Sequence, residues 1–314
     1  MFTGFNLDYP EYEVITPQTK LSFNVRSINV QEEENLKGSL MTPTKITEHL
    51  NKCIFNSIVK KPDSIKDLDS FLRAVTLKDR DALLYGLFHI TYEDIRNYEV
   101  KCGNCGKDYP VTVKASSTFN YNVYTEKDNI LTKKIKVDLP KSKGVSAIIK
   151  QPSLFDETTA LRELSQRPGS STDIIVETLV IEKFEQDIPE KTEPAVYADR
   201  VDIIDAYMTL PAKDKREIHN KYMETFGKYG IELKMKSFCP SCGNEEDIDI
   251  DLVENFFRAV YQSWWYNGVQ ENINWEYFFM YGNVKTIICW SYEYASKKIL
   301  RLSWVESKVR RRKT

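Results

Sequence analysis

Four cysteines carry the chemistry most readily read from this chain. Cys102-Gly-Asn-Cys105-Gly106 and Cys239-Pro-Ser-Cys242-Gly243 are CxxC pairs, each followed by a glycine. A chain that reverses between two strands across such a pair aims both sulfurs at one ion, and the glycine takes the tight backbone conformation of the turn. Two pairs supply four thiolates, which complete a tetrahedral zinc site and leave no open position. The expected cofactor is therefore one structural Zn2+ on Cys102, Cys105, Cys239 and Cys242, with no metal catalysis. The rival readings are a dithiol redox centre, two separate half-sites, or a metal-free pair of turns. A redox pair belongs at the start of a helix, where the dipole lowers a thiol pKa. Cys53 and Cys289 stand alone in apolar surroundings and read as buried small hydrophobes.

The segments around the pairs alternate in the manner of strands. Residues 96–101 (RNYEVK) and 109–114 (YPVTVK) flank the first pair, and 231–236 (IELKMK) and 247–252 (DIDIDL) flank the second. With 133 residues between Cys105 and Cys239, one shared site requires two parts of the chain to dock face to face.

Those parts echo one another. Thr76-Leu-Lys-Asp-Arg80 precedes a helix-period stretch through Leu83, Leu84, Leu87 and Phe88. Thr209-Leu-Pro-Ala-Lys-Asp-Lys-Arg216 precedes another through Ile218, Tyr222, Met223 and Phe226. Arg80 lies 22 residues before Cys102, and Arg216 lies 23 before Cys239. Further upstream, Pro17-Gln-Thr-Lys20 leads into the alternating strand at 21–25, and Pro140-Lys-Ser-Lys143 into that at 145–149. Acidic helix-prone segments follow at 31–36 and 155–164. Amphipathic helices are expected next, at 44–59, capped by Thr42 and Pro43, and at 172–184.

The expected fold is α+β: two related strand-helix-strand-knuckle-strand halves joined by a zinc-ribbon-like site, plus an α-helical C-terminal extension. Its divisions are a first repeat with the first knuckle (1–116), a linker (117–134), a second repeat with the second knuckle (135–252) and the extension (253–314). Residues 166–171 (QRPGSS) read as an insertion loop.

The extension is aromatic. Phe256, Phe257, Val260, Tyr261 and Trp264 follow helical spacing, and a second aromatic helix is expected over 275–302. It reads as a helical subdomain with its own core, or as a docking surface through Phe256, Phe257, Trp264, Trp265 and Trp275, since aromatic residues gather at interface centres. Residues 297–314 hold eight basic side chains, Arg310, Arg311 and Arg312 among them, against Glu306 alone. Such a tail is either solvated or binds an acidic partner or nucleic acid electrostatically. The whole chain, with 44 Lys and Arg against 46 Asp and Glu, is not that of a highly basic nucleic-acid binder.

Enzymatic signatures are missing: there is no glycine-rich phosphate loop, no nucleophile elbow and no HExxH. His49, His89 and His219 each fall in an expected helix. The runs Glu32-Glu33-Glu34 and Glu245-Glu246-Asp247 read as solvated charge. No enzymatic role and no small-molecule substrate are expected. No run approaches the roughly 18 apolar residues of a membrane span, and the opening MFTGFN has no signal-peptide character, so the expectation is a cytoplasmic product without a membrane partner.

Taken together, Leu77-Lys-Asp-Arg80, the stretch 98–113 with its CxxCG, the stretch 230–242 ending in CPSC, and 248–257 ending in Phe256-Phe257 resemble the baseplate hub proteins of T-even-type contractile-tailed bacteriophages. The resemblance covers about residues 12–260. It departs at Arg258, where the family often has Trp-Pro, and at Gly103, where proline is usual. It implies a structural or assembly protein of the viral tail baseplate that binds other tail proteins, found in the virion and in the cytoplasm of the infected bacterium. In such a protein the knuckle cysteines are the residues best placed to matter. The alternative reading is a zinc-ribbon nucleic-acid-binding protein using the basic C-terminal tail.

Overall fold

The structure is a computed structural model and describes residues 9–37, 42–92, 95–114, 119–165, 171–188 and 193–249. It is a mixed helix and sheet fold in which every strand pair is antiparallel. There are four small sheets among the described residues.

The chain begins with β1 (Glu11–Ile15) and β2 (Ser22–Arg26), a hairpin in which Val14 faces Phe23. Phe23 and Val25 alternate with polar residues and are fully buried. Next come α1 (Val30–Lys37) and α2 (Pro43–Ser57). The Thr42 hydroxyl caps α2 by accepting from the Lys45 N–H, and Ile46, Leu50, Cys53 and Ile54 form its buried stripe. That helix stops at Ser57, and β3 (Ile58–Lys60) joins β2. After the short α3 (Leu68–Ala74) runs α4 (Leu77–Thr91), the central helix, buried on nearly every side. Its Gly86 lies so close to β1 that a Cβ there would stand 2.4 Å from a Val14 methyl. Then follow β4 (Ile95–Lys101), the first CxxC turn and β5 (Asp108–Lys114).

Residues 117–134 contain β6 (Phe119–Asn122), which pairs with a strand more than 100 residues later, β11 (Gly230–Phe238). The later stretch follows the element order of the earlier one with one strand, Ala195–Tyr197, added. It runs β7 (Lys134–Asp138), β8 (Val145–Lys150), α5 (Leu154–Ser165), α6 (Thr172–Thr178), β9 (Ile181–Gln186), β10 (Ala195–Tyr197), α7 (Arg200–Thr209) and α8 (Ala212–Tyr222). A π turn over Met223–Gly227 leads into β11, the second CxxC turn and β12 (Glu245–Asp249).

The helix expected over 172–184 is corrected here. It ends at Thr178, and Ile181–Gln186 is a strand. Opposite β8, Ile149 faces Ile181 while Ile148 faces Lys183, so Glu182 is a bulge residue without a partner across the ladder. The bulge puts Ile181 and Phe184, three apart, on the same buried face. That spacing imitates a helix.

Three apolar clusters result. The first lies under β1–β3 and around α2 and α4, and it also takes Leu154, Ala160, Ile175 and Val176 from α5 and α6. The second lies between the β7–β10 sheet and α7 and α8, with Tyr124, Phe226 and Tyr229. The third is small and surrounds the cysteines.

Two polar clasps tie hairpins to helices. In the first, Asp79 of α4 accepts from the Gln18 N–H (2.8 Å) and the Thr19 hydroxyl (2.7 Å) in the β1–β2 turn. In the second, Asp214 of α8 accepts from the Lys141 N–H (2.8 Å) and the Ser142 hydroxyl (2.7 Å) in the β7–β8 turn. Both aspartates are fully buried. A further polar contact crosses between the stretches. Arg80 of α4 forks onto Glu157 of α5 with Nη1···Oε2 2.6 Å and Nη2···Oε1 3.2 Å, and both side chains are fully buried.

The run Glu32-Glu33-Glu34 is not a simple solvated face. Glu32 takes Arg26 on both oxygens and the Asn29 N–H, and Glu33 accepts from the Tyr92 hydroxyl.

Candidate metal centre

Each CxxC pair occupies the turn of a strand hairpin, β4–β5 or β11–β12, and not the start of a helix. The two turns are built alike. The Gly106 N–H donates to the Cys102 carbonyl at 2.9 Å and the Gly243 N–H to the Cys239 carbonyl at 2.8 Å. The Cys102 N–H reaches Lys107 O at 3.0 Å, and the Cys239 N–H reaches Asn244 O at 2.9 Å. Gly106 and Gly243 both have φ of 70°, the left-handed conformation that glycine adopts without steric cost.

The four sulfurs all lie within 4.8 Å of one another. Across the junction Cys102 meets Cys242 at 3.6 Å and Cys105 meets Cys239 at 3.7 Å. The first cysteine of each turn thus faces the second of the other. A disulfide needs sulfurs about 2.05 Å apart. A tetrahedron of thiolates at about 2.3 Å from zinc spaces its sulfurs by about 3.8 Å. The donor set therefore fits a tetrahedral thiophilic ion and does not fit two disulfides. Among the described residues no other group of His, Cys, Asp or Glu is placed to hold a metal. A metal bound by all four thiolates supplies a cross-link with no vacant position for chemistry.

Cys102 and Cys239 are buried, while Cys105 and Cys242 are exposed. Beneath them pack Tyr109, Val111, Met235 and Ile248. The thiols differ in acidity. The Asn244 N–H, with the neighbouring thiols, brings Cys242 down to about 7. At Cys102 the Cys105 N–H pulls the same way, but desolvation with the Glu246 and Cys242 contacts outweighs it and pushes the thiol up to about 12. Cys53 is a buried thiol raised to about 12 by desolvation, in keeping with an inert packing role.

Glu246 departs from the solvated charge run in which the sequence puts it. Its Oε1 accepts from the Gly103 N–H at 2.8 Å and from Asn244 Nδ2 at 2.8 Å, and lies 3.2 Å from Cys102 Sγ. Strand alternation is the signal that finds it, because Glu246 shares a face of β12 with Ile248, while Glu245 and Asp247 are exposed. The three histidines sit in α2, α4 and α8, as expected. Phe256, Phe257, Trp264, Trp265, Trp275, Cys289, Arg310, Arg311 and Arg312 lie outside the described residues.

The chain is thus a mixed helix and sheet protein whose distant hairpins meet at four cysteines that could hold one metal ion. The family model of the T4 bacteriophage base plate protein matches residues 9–258, most of the chain, and the chain belongs to that family. Neither the curated proteins nor the solved structures contain a match to it. Membership points to a structural, non-enzymatic role in the tail of the virion, in contact with other tail proteins, and does not favour the nucleic-acid-binding alternative. No helix among the described residues is long and apolar enough to cross a membrane.

Proposed function

We propose that the chain is a scaffold of the phage baseplate hub, as a hub component or a hub-assembly factor, and that one Zn2+ on Cys102, Cys105, Cys239 and Cys242 staples it. The observation that carries this reading is the meeting of four sulfurs, from hairpins 134 positions apart, in a chain of the base plate family. Zinc would stabilise the junction strongly, because binding energy in such sites is folding energy, on the order of 10 kcal/mol apparent. The reading extends to two related halves, 1–116 and 135–252, joined by 117–134. Its support is the repeated element order, the matching cysteine turns and the matching Asp79 and Asp214 clasps. The aromatic and basic extension over 253–314 is assigned to binding of other tail proteins, and the protein is assigned to the host cytoplasm before it enters the virion.

Two measurements test this. Elemental analysis of the purified chain should return one zinc per molecule, and a chelator should lower its melting temperature. Mass spectrometry of purified particles and of base plate intermediates should find the chain in at least one of them. A metal-free protein that melts the same with and without chelator removes the staple. Absence from both kinds of particle removes the hub role.

A further inference from the structure

The two cysteine turns are alike in backbone but differ at one position that decides which hydrogen bonds are available. The residue after the first cysteine is Gly103 in one turn and Pro240 in the other. Proline has no N–H to donate. Four residues after the second cysteine stand Tyr109 and Glu246 respectively. Glu246 therefore faces the turn that has a free N–H, and Tyr109 occupies the matching place opposite the turn that has none. The Glu246 oxygen joins the Gly103 N–H of one turn to the Asn244 amide of the other, at 2.8 Å each.

We infer that Glu246 is a positioning residue of the metal centre: its carboxylate clamps the first cysteine turn onto the second, so that the four sulfurs are gathered before an ion arrives. The inference rests on the zinc reading above. A carboxylate accepting two N–H bonds restrains both turns at once, and loss of such an outer hydrogen bond typically costs 10–100-fold in metal affinity. The clamp needs an acceptor oxygen rather than a negative charge. Its 3.2 Å approach to Cys102 Sγ brings no benefit once that sulfur is a thiolate.

The test is zinc affinity of the 314-residue chain, measured by competition with a chromophoric chelator. Glu246→Ala should bind zinc about 10–100-fold more weakly than wild type. Glu246→Gln, which keeps an acceptor oxygen and sheds the charge, should bind at least as well as wild type. Gly103→Pro replaces the donor with a ring carbon, so Glu246 can no longer bond this turn, and Pro240 shows that such a turn accommodates proline at the same place. It should reproduce the loss seen with Glu246→Ala, and the double variant should be no weaker than either single one. Wild-type affinity in Glu246→Ala, or losses that add in the double variant, would overturn the clamp while leaving the zinc reading intact. A wild-type chain that takes up no zinc fails at the earlier step, before any variant is compared. Circular dichroism of each variant separates a loosened site from a chain that has not folded.

Discussion

The turns around Gln18 and around Lys141 are held by the same device with different reinforcement. Each presents a backbone N–H and a hydroxyl to one buried aspartate on a following helix, with distances that agree to the tenth of an ångström. Around Asp79 the device is doubled. That carboxylate also takes the Thr19 and Thr76 N–H groups at 3.3 Å, and the Thr76 hydroxyl accepts from the Asp79 N–H to complete a capping box. At the other helix the N-cap is Pro211, which makes no side-chain cap, and the helix ends in a π turn. The contact between turn and helix is therefore the constant part, and helix capping varies around it. At Asp214 one N–H and one hydroxyl satisfy the buried carboxylate well enough to keep it buried.

The strongest test of that likeness lies at the cysteines. Cys102→Ser and Cys239→Ser each remove one buried sulfur from equivalent places in the two turns. If zinc occupies the site as proposed, both should lower zinc content and melting temperature by similar amounts, and by more than any other single change discussed below, since binding energy in such a site is folding energy. If one serine variant is severely damaged and the other keeps wild-type zinc and melting behaviour, the two turns do not share one ion.

Arg80 and Glu157 break the likeness, because no pair of this kind ties α8 to another helix among the described residues. Their side chains are wholly buried and fork-bonded. Glu157→Ala strands a guanidinium in the first apolar cluster and should cost about 3–5 kcal/mol in denaturant unfolding. Replacing both, as Arg80→Met with Glu157→Leu, should recover most of that loss, because the pair's own desolvation cost disappears with it. A double variant as unstable as the single one would mean that the pair contributes net stability beyond its own satisfaction.

Much of this was legible in the residues, for physical reasons that can be named. The CxxCG turns were readable because ligand spacing and a left-handed glycine are local requirements, and both turns fold as expected. The repeated Pro-x-(Thr/Ser)-Lys segments were visible as an echo. Their purpose was not, because the partner aspartates lie 61 and 73 positions away. Glu246 was hidden in an acidic run whose neighbours really are exposed. Strand β9 was hidden by a bulge that imitates helical spacing. β1, β3, β6, β7 and β10 are short, and their place depends on partners that no local pattern announces. The burial of Arg80 has no local signal, because Glu157, which forks onto it, stands 77 positions later.

The clasps themselves give the finest comparison. Asp79→Ala leaves two turn N–H groups, a hydroxyl and the N–H of the Thr76 cap without their acceptor, the three N–H groups on buried or half-buried residues. Hydrogen bonds to a charged group contribute about 1.5–3 kcal/mol each, and their losses overlap within one site. The expected cost is about 3 kcal/mol for Asp79→Ala and about 1–2 kcal/mol for Asp214→Ala, which gives up one N–H and one hydroxyl. Paired unfolding curves on the two variants read the difference directly, and equal costs would mean that the extra donors around Asp79 add nothing. Acidity supplies a second reading. Burial holds the Asp79 carboxyl above the ordinary carboxylate range, against the pull of its Gln18, Thr19 and Thr76 donors. A carboxyl raised in the folded state is more easily protonated there than in the unfolded chain. Its contribution is therefore fully present below the ordinary value of about 4 and declines as pH rises through the raised one. Asp79→Asn, neutral throughout, should remove that decline from the stability profile, and a profile unchanged by the substitution would show that the four donors offset the burial completely.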